Sequence, residues 1–447
     1  MEKDNTTFGS KFGTLVVVAG SVIGLGNIWR FPYLAGSNGG SAFIIIYIIC
    51  SLMISVPIMM SEFVIGRSTN SNAFRAFKIL SKHKIWSLVG ILGIVTVFII
   101  FGYYSVIAGW ALSFFQTAIT TGFTGKDTSI IHADFINYIN SGWKPTLAAL
   151  IFISLTAGVV IGGIQKGIEK INKVLMPILA LILILLFVYS TTLSGFSQAV
   201  DFLLKPDFSK ISLNTVLSAI GQSFFSMSLG MGCMITYGAY IRKKTKLPIL
   251  AITISIADLC VALIAGFAIF PGVFTFGIEP TSGPTLVFET LPLVFSKMTG
   301  GNIFGLLFFF LVFIAAITSS VSMLEPMVLF IMQETKLSRK KSVLSIISFV
   351  VILAVLCAYS QVENSSIRIF GQNLFDALNH ATDKIMLPLG GLLIIIFIGW
   401  FAKKDIVISQ ITNNKAFFIK GFNIYFFMVK YIIPIVLSMF IINLIGF

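Results

Sequence analysis

Residues 19–27 read AGSVIGLGN and interrupt an apolar stretch, 11–37, that is long enough to cross a lipid bilayer. Residues 226–232, SMSLGMG, interrupt a second apolar stretch, 212–241, in the same way. Glycines in one membrane helix are often explained by close helix packing, but each of these two stretches places Gly-x-Gly beside hydroxyl or amide side chains. Irregular backbone is tolerated at membrane depth only where protein or a wet cavity surrounds it. The pair therefore predicts two broken transmembrane helices that meet at an internal binding site.

The composition places the whole chain in a lipid environment. Hydrophobic residues make up 57% of the 447 positions and charged residues 11%, whereas soluble domains carry roughly 25% charged residues. The fold class expected is an all-α polytopic membrane protein. Eleven segments are predicted to span the bilayer: 11–37, 40–66, 87–122, 146–163, 174–193, 212–241, 248–274, 301–334, 342–358, 371–401 and 421–446.

Each interruption opens a block of five predicted spans. One half would run from about 11 to 193 and the other from about 212 to 401, with an extra span at about 421–446. Matching interruptions in two halves are typical of secondary transporters. Residues 1–447 are thus expected to form a single transmembrane domain.

The distribution of basic residues predicts the orientation. Of the 31 Lys and Arg residues, 22 fall on the side of the N-terminus and 6 on the opposite side, and cytoplasmic loops are the ones enriched in Lys and Arg. We expect a multi-pass protein of the plasma (inner) membrane with a cytoplasmic N-terminus and an external C-terminus. The net charge of +14 is then a consequence of topology and does not indicate a nucleic acid partner.

Polar side chains inside the predicted spans are candidates for function. Asp258 is the strongest, because a carboxylate within the membrane is costly and usually serves a site; the alternative is a protonated or paired structural anchor. Residues 318–320, TSS, and Tyr104 are weaker candidates, since hydroxyls in membrane helices often bond to their own backbone. The three His residues show no metal-ligand spacing.

The motifs of this chain resemble those of the neurotransmitter:sodium symporter family over about residues 9–400. They are GLGNIWRFPY at 24–33, NGG at 38–40, GQSFF at 221–225, TSS at 318–320 and LPLGG at 387–391. The resemblance implies a 5+5 inverted-repeat transporter fold with helices 1 and 6 broken. The total of eleven predicted spans resembles that of the shorter bacterial members of the family. It also implies sodium-coupled amino-acid transport by alternating access.

The resemblance implies two sodium ions as coupling ions, each held by oxygen ligands, which suit a hard cation. Site 1 would comprise the carbonyl of Val22, the side chains of Asn27, Ser226 and Asp258, and the carboxylate of the substrate. Site 2 would comprise the carbonyls of Gly20, Ile23 and Ala315 and the hydroxyls of Thr318 and Ser319.

The resemblance also implies where the substrate lies. Its carboxylate would meet the Tyr104 hydroxyl and the amides near Leu25 and Gly26, and its amino group would face the second break. Monoamine carriers in the family have Asp at the position of Gly24, so an amino acid is favoured over a monoamine. The substrate-binding residues implied are Ser21, Val22, Leu25, Gly26, Ile100, Tyr104, Phe225, Ser226, Ser228, Met231, Ser319 and Met323. This apolar lining favours a hydrophobic or aromatic amino acid, because a charged side chain would be stranded.

The chain departs from the family pattern at the chloride site. Asp258 stands where many members have Asn, and Ala262 stands where chloride-dependent members have Ser. A fixed carboxylate near sodium replaces the neutralising chloride, so chloride-independent transport is expected.

The chain also departs from the family pattern at both gates. Arg30 and Phe225 should close the outer side, but the partner position of the arginine holds Asn379, with Asp376 as a possible substitute. At the inner side the paired charges are replaced by Asn5 and Gln333, with Tyr240 retained. The hypothesis is that hydrogen bonds replace an ion pair there.

Other classes of protein predict features that differ from those of a symporter. An ion channel would show repeated filter loops and an enzyme would need a base–nucleophile pair; neither feature is evident in the sequence. A binding-only sensor built on a transporter fold stays an alternative, although no extra cytoplasmic domain that would carry a signal is evident. The partners expected are an amino-acid substrate and the lipid bilayer, with no nucleic acid and no obligate protein partner.

Overall fold

The computed structural model describes residues 7–278, 287–414 and 419–445, and these residues are almost entirely helical. The helices are α1 (Lys11–Val22), α2 (Gly26–Ser37), α3 (Ser41–Thr69), α4 (Ala73–Leu80), α5 (Lys84–Thr120), α6 (Thr128–Asn140), α7 (Trp143–Ile161), α8 (Ile164–Ser190), α9 (Phe196–Leu204), α10 (Leu213–Ser226), α11 (Cys233–Tyr240), α12 (Leu247–Thr275), α13 (Thr290–Lys297), α14 (Gly301–Thr335), α15 (Arg339–Ser360), α16 (Leu374–Phe401), α17 (Lys404–Ile411) and α18 (Gly421–Asn443). A two-stranded antiparallel hairpin, β1 (Arg368–Ile369) and β2 (Gln372–Asn373), precedes α16.

Within the described ranges, nine helices are long and apolar enough to cross a membrane without interruption. Helices α1 and α2 form a tenth span that bends by 44° at its break. The sixth predicted span is present as two shorter helices, α10 and α11, separated by residues 227–232. The all-α polytopic fold class is confirmed.

Residue types at the two breaks account for the loss of helix. Helix α1 ends at Val22, and the next residue, Ile23, is extended (φ −80°, ψ 100°), although its N–H still donates to the Ala19 carbonyl. In the second break Gly230 and Gly232 have φ of 75° and 77°, and Ser228 has φ of 53°. Glycine adopts this left-handed region at little cost, so Gly230 and Gly232 allow the chain to leave the helix at the second break.

One helix begins earlier than the sequence predicted. Residues 164–173 were expected to form a charged loop, but they are the first turns of α8. The turn between α7 and α8 is made by Gly162 and Gly163 (φ 82°). The Lys173 Nζ lies 2.7 Å from Oε1 of the buried Glu169, one turn away. Because the two charges neutralise each other, both residues can lie within the helix.

Close packing of α3 against α11 positions the second break. A methyl group at Gly66 would lie 1.8 Å from the Ile235 carbonyl oxygen, and one at Gly238 would lie 2.9 Å from the Phe63 carbonyl oxygen. The two backbones therefore approach as closely as glycine permits. Helix α14 contacts α1, α5 and α8 on the other side of the breaks.

Candidate ion and substrate site

Asp258 is the point at which four helices converge. It is fully buried in α12. Its Oδ1 accepts hydrogen bonds from Ser226 Oγ at 2.5 Å and Asn27 Nδ2 at 2.7 Å, and its Oδ2 accepts one from the Tyr47 hydroxyl at 2.5 Å. Ser226 is the last residue of α10 and Asn27 lies in the first turn of α2. Each of the two broken spans therefore donates a hydrogen bond to the Asp258 carboxylate. Of the three side chains selected for sodium site 1, Asn27 and Ser226 thus both contact Asp258.

Asn27 also holds the first break in shape. Its Oδ1 accepts from the Gly24 N–H at 3.1 Å, while its Nδ2 donates to the backbone carbonyl of Asp258 at 3.1 Å as well as to the carboxylate. One amide side chain therefore links the unwound backbone to α12. The carboxylate and hydroxyl oxygens gathered at Asp258, from Asp258 itself, Ser226 and Tyr47, suit a hard cation.

The residues selected for sodium site 2 lie where α1 ends against α14. Ser319 Oγ donates to the Gly20 carbonyl at 3.4 Å, and Thr318 Oγ1 donates to the Ala315 carbonyl at 3.0 Å. A Cβ on Gly24 would lie 2.0 Å from Ser319 Oγ and 3.5 Å from the Ala315 carbonyl oxygen. Ile23, the fifth member of the set, is the residue that directly follows α1 and precedes Gly24.

The two breaks are joined directly to one another. Ser228 Oγ donates to the Ser21 carbonyl at 2.9 Å, and Gln222 Nε2 donates to the Gly26 carbonyl at 2.8 Å. A Cβ on Gly26 would lie 3.3 Å from Ser226 Cα, so the backbones touch. Side chains of the sixth span thereby satisfy carbonyl groups of the first span that the interruption leaves without helical partners.

Tyr104 offers an unused donor beside the first break. It is buried in α5, with the Ser319 hydroxyl and the Leu25 backbone amide as neighbours. Its hydroxyl nevertheless makes no hydrogen bond with the residues that the structure describes, and the same is true of Ser21 Oγ. Buried polar groups normally have partners, so these two atoms are available to a bound molecule. The remaining pocket residues selected from the sequence are all buried: Val22, Ile100, Phe225, Met231 and Met323.

The outer side of the site contains an ion pair that differs from the expected one. Arg30 pairs with Asp383 and lies over the Phe225 ring, with its Cζ 4.6 Å from the ring centroid. Asp376 instead accepts a hydrogen bond from the Asn373 side chain at 2.7 Å, at the exposed start of α16, and the Asn379 carbonyl accepts one from within the helix. Neither of these two residues contacts Arg30.

The inner side holds hydrogen bonds of Gln333 and a separate ion pair. Gln333 accepts hydrogen bonds from the backbone and side chain of Asn72 at 2.8 and 2.9 Å, and Asn5 lies outside the described residues. Tyr240 donates to Glu325 Oε1 at 2.7 Å, and the fully buried Glu325 forms an ion pair with Arg339. That hydrogen bonds replace an ion pair between positions 5 and 333 therefore stays a prediction.

Comparison with known proteins identifies the family. Residues 5–134 and 131–447 match the family model described as the Sodium:neurotransmitter symporter family. This chain is a member of the sodium:neurotransmitter symporter family. Sodium is accordingly the coupling ion of this transporter.

Two bacterial relatives of this symporter align over nearly its whole length. A sodium-dependent transporter of Bacillus subtilis, YhdH, is 36% identical over 449 residues, covering 100% of this chain and 99% of the relative. One of Haemophilus influenzae is 36% identical over 456 residues, covering 99% of each. The crystal structure of MhsT in complex with L-phenylalanine superposes with a TM-score of 0.91 at 36% identity, covering 98% of this symporter and 99% of MhsT.

Three acidic residues that the sequence did not single out belong to this symporter's core or outer side: Glu62 and Glu325, which are buried, and Asp383, which is partly buried. Glu62 and Glu325 lie within predicted spans, so the rule that selected Asp258 applied to them equally. Asp383 lies four residues after Asn379, hence on the same face of α16 one turn further along. A π-helical segment, Ala381–Met386, occupies this part of α16, and the altered spacing explains why a fixed register selected the wrong residue.

Proposed function

We propose that this symporter carries a hydrophobic or aromatic amino acid into the cell together with two sodium ions, by alternating access and without chloride. The observation that supports it best is the gathering of Asn27, Ser226 and Tyr47 on the buried carboxylate of Asp258. That cluster couples both broken helices to one anionic centre, which a sodium ion would neutralise.

The identity of the substrate is argued from Gly24 and from the unused donors. A side chain at position 24 would meet Ser319 Oγ at 2.0 Å, so no protein carboxylate can be placed there to hold a bare amine. The Tyr104 hydroxyl and Ser21 Oγ lack partners among the described residues and could donate to a carboxylate brought by the substrate. The L-phenylalanine bound to MhsT supports an aromatic amino acid.

Chloride independence is argued from the same cluster. The hydroxyls of Tyr47 and Ser226 both donate to Asp258, so they are already engaged by a fixed anion. Ala262, one turn along α12, is fully buried and has no hydroxyl to offer. A chloride ion would therefore meet a carboxylate of like charge, and the Tyr47 and Ser226 hydroxyls would not be free to bind it.

Coupling to two sodium ions would make the transport concentrative. Each sodium ion entering across 100 mV contributes about 2.3 kcal/mol, so two contribute about 4.6 kcal/mol, enough to concentrate a zwitterion roughly a thousandfold. In the proposed cycle the repeats formed by residues 11–193 and 212–401 rock against each other, with 421–446 as an added span. The N-terminus would lie in the cytoplasm, since most basic residues flank that side.

Uptake of labelled amino acids into proteoliposomes tests this function. We expect saturable, concentrative uptake of phenylalanine, leucine or tryptophan in sodium gluconate as well as in sodium chloride, and none in potassium chloride. Uptake that needs chloride would overturn chloride independence. Binding without uptake would favour a sensor, and sodium currents far above the substrate flux would favour a channel.

A further inference from the structure

Lys430 is a lysine inside a membrane span that the proposed transport mechanism does not use. It lies in the first half of α18 (Gly421–Asn443). Ionisable side chains within such spans are rare and usually mark a functional site with a partner of opposite charge. Among the residues that the structure describes, no Asp or Glu forms an ion pair with Lys430. The partner of its ammonium group therefore has to come from elsewhere.

The ammonium group of Lys430 lies between two aromatic rings on the surface of the protein. Its Nζ is 4.7 Å from the centroid of the Trp400 ring and 5.5 Å from that of Tyr431. Ring faces attract a cation, but they carry no charge that would neutralise it. Trp400 is 58% exposed and Tyr431 43% exposed. Because both rings lie on the outer face of the helix bundle at a membrane span, the next molecule that the ammonium group meets is a lipid.

The backbone around Lys430 fixes the place of this cation. A Cβ on Gly399 would lie 3.0 Å from Lys430 Cα, so α16 and α18 approach as closely as glycine permits. Pro434, four residues later, has no N–H to donate to the Lys430 carbonyl. The Trp400 indole N–H donates to that carbonyl instead, at 3.1 Å. The lysine and the tryptophan are thus held together as one built feature of the surface.

A second lysine marks the level of the membrane boundary beside this feature. Lys404, the first residue of α17, has its Nζ 5.2 Å from the centroid of the Phe426 ring. Lys430 follows Phe426 by one helical turn, or about 6 Å of rise. Trp400 lies at the end of its span, where tryptophans are enriched at the boundary between membrane and water. Because a lysine stem extends toward that boundary, both ammonium groups can reach the level of the lipid phosphates.

We propose that Lys430 and Lys404 bind the phosphate of an anionic phospholipid, in the inner leaflet under the orientation proposed above. Basic pockets between membrane helices on the cytoplasmic side are suited to such headgroups. The acyl chains would follow α18 toward the bilayer centre over Ile435 and Met439, which are 59% and 66% exposed. A neutral lipid with a choline group is disfavoured, since Asp405 is the neighbouring acidic residue of α17 and is engaged with neither lysine in an ion pair. Two ammonium groups therefore have one excess negative charge to receive.

Quenching of Trp400 fluorescence by brominated phospholipids tests the proposal. The full chain is reconstituted in phosphatidylcholine vesicles that contain rising fractions of brominated phosphatidylglycerol or of brominated phosphatidylcholine. The Trp400 signal is the difference between the unaltered chain and Trp400→Phe. Half-maximal quenching should need an about tenfold smaller fraction of the phosphatidylglycerol, because both lysines attract its charge.

Substitutions assign this preference to the site. Lys430→Gln should reduce it about fivefold, and Lys430→Arg should retain it because the charge is kept. Lys82→Gln is the matched control. It removes the same charge from the exposed connection between α4 and α5, on the same side of the membrane, and it should leave the preference unchanged.

The other results would overturn the proposal. Equal quenching of the unaltered chain by the two lipids would show that no anionic lipid is selected here. A preference that persists in Lys430→Gln, or that falls as much in Lys82→Gln, would show that general surface charge and not this site attracts the lipid. If Lys430→Gln does not fold, Lys404→Gln decides, since it should also lower the preference and an unchanged value would refute the site. The measurement needs no substrate or sodium gradient, so its failure would leave the proposed function untouched.

Discussion

The hydroxyl of Ser228 donates to the carbonyl oxygen of Ser21 across 2.9 Å, so the two interrupted helices are held to one another through their unwound segments. Ser228 adopts a left-handed conformation to make this contact, which is unfavourable for a residue other than glycine. A strained residue held by a specific hydrogen bond indicates that the relative position of the two breaks matters for function.

Removing the carboxylate of Asp258 and adding a hydroxyl at position 262 should together make the transporter depend on chloride. In Asp258→Asn, Tyr47 and Ser226 lose a charged acceptor, which is worth about 1.5–3 kcal/mol per hydrogen bond, and sodium affinity should fall about tenfold or more. Adding Ala262→Ser supplies a donor, so the double variant should recover sodium affinity in chloride but not in gluconate. Ala262→Ser alone is the control and should remain insensitive to chloride.

A methyl group at Gly24 should abolish transport. The new Cβ would lie 2.0 Å from Ser319 Oγ, forcing apart the groups selected for sodium site 2. Gly158→Ala on α7 is the matched control, because nothing lies within 4 Å of its Cβ. Initial uptake rates should be lost in the first variant and unchanged in the second; equal rates would show that the first break does not pack against α14 as described.

Asparagine substitutions at Asp383 and Asp376 should show which of the two carboxylates serves the outer gate. Asp383→Asn leaves Arg30 buried without its partner, and breaking a buried pair in this way costs about 3–5 kcal/mol, so uptake should fall strongly. Asp376→Asn removes only a surface hydrogen bond and should transport normally. If uptake fell in Asp376→Asn and not in Asp383→Asn, Asp376 would serve the gate, as the sequence suggested.

Two buried tyrosines on α11 provide a test of the inner side. Tyr240→Phe loses a hydrogen bond to Glu325, worth about 1.5–3 kcal/mol because the acceptor is charged, and it should increase the exposure of a cysteine introduced into the inner pathway. Tyr237→Phe should leave that exposure unchanged, since the Tyr237 hydroxyl has no partner among the described residues. Alkylation rates of the two variants provide the comparison.

The breaks and Asp258 could be predicted from the sequence because glycine pairs and a carboxylate are rare inside apolar spans. The partner of Arg30 could not, since a π-helical segment in α16 changes the spacing between positions. The start of α8 was missed because Lys173 and Glu169 read as loop residues until their ion pair is known. The ion pair between Glu325 on α14 and Arg339 at the start of α15 could not be predicted either, because the sequence does not show that these two helices bring the residues together.

A high-resolution density map of the protein in sodium with bound phenylalanine tests the central claim most directly. The account predicts one ion density touching Asn27, Ser226 and Asp258, a second touching Thr318 and Ser319, and the substrate carboxylate beside Tyr104. Unbroken first and sixth helices, or a substrate bound with no ion density at Asp258, would contradict it.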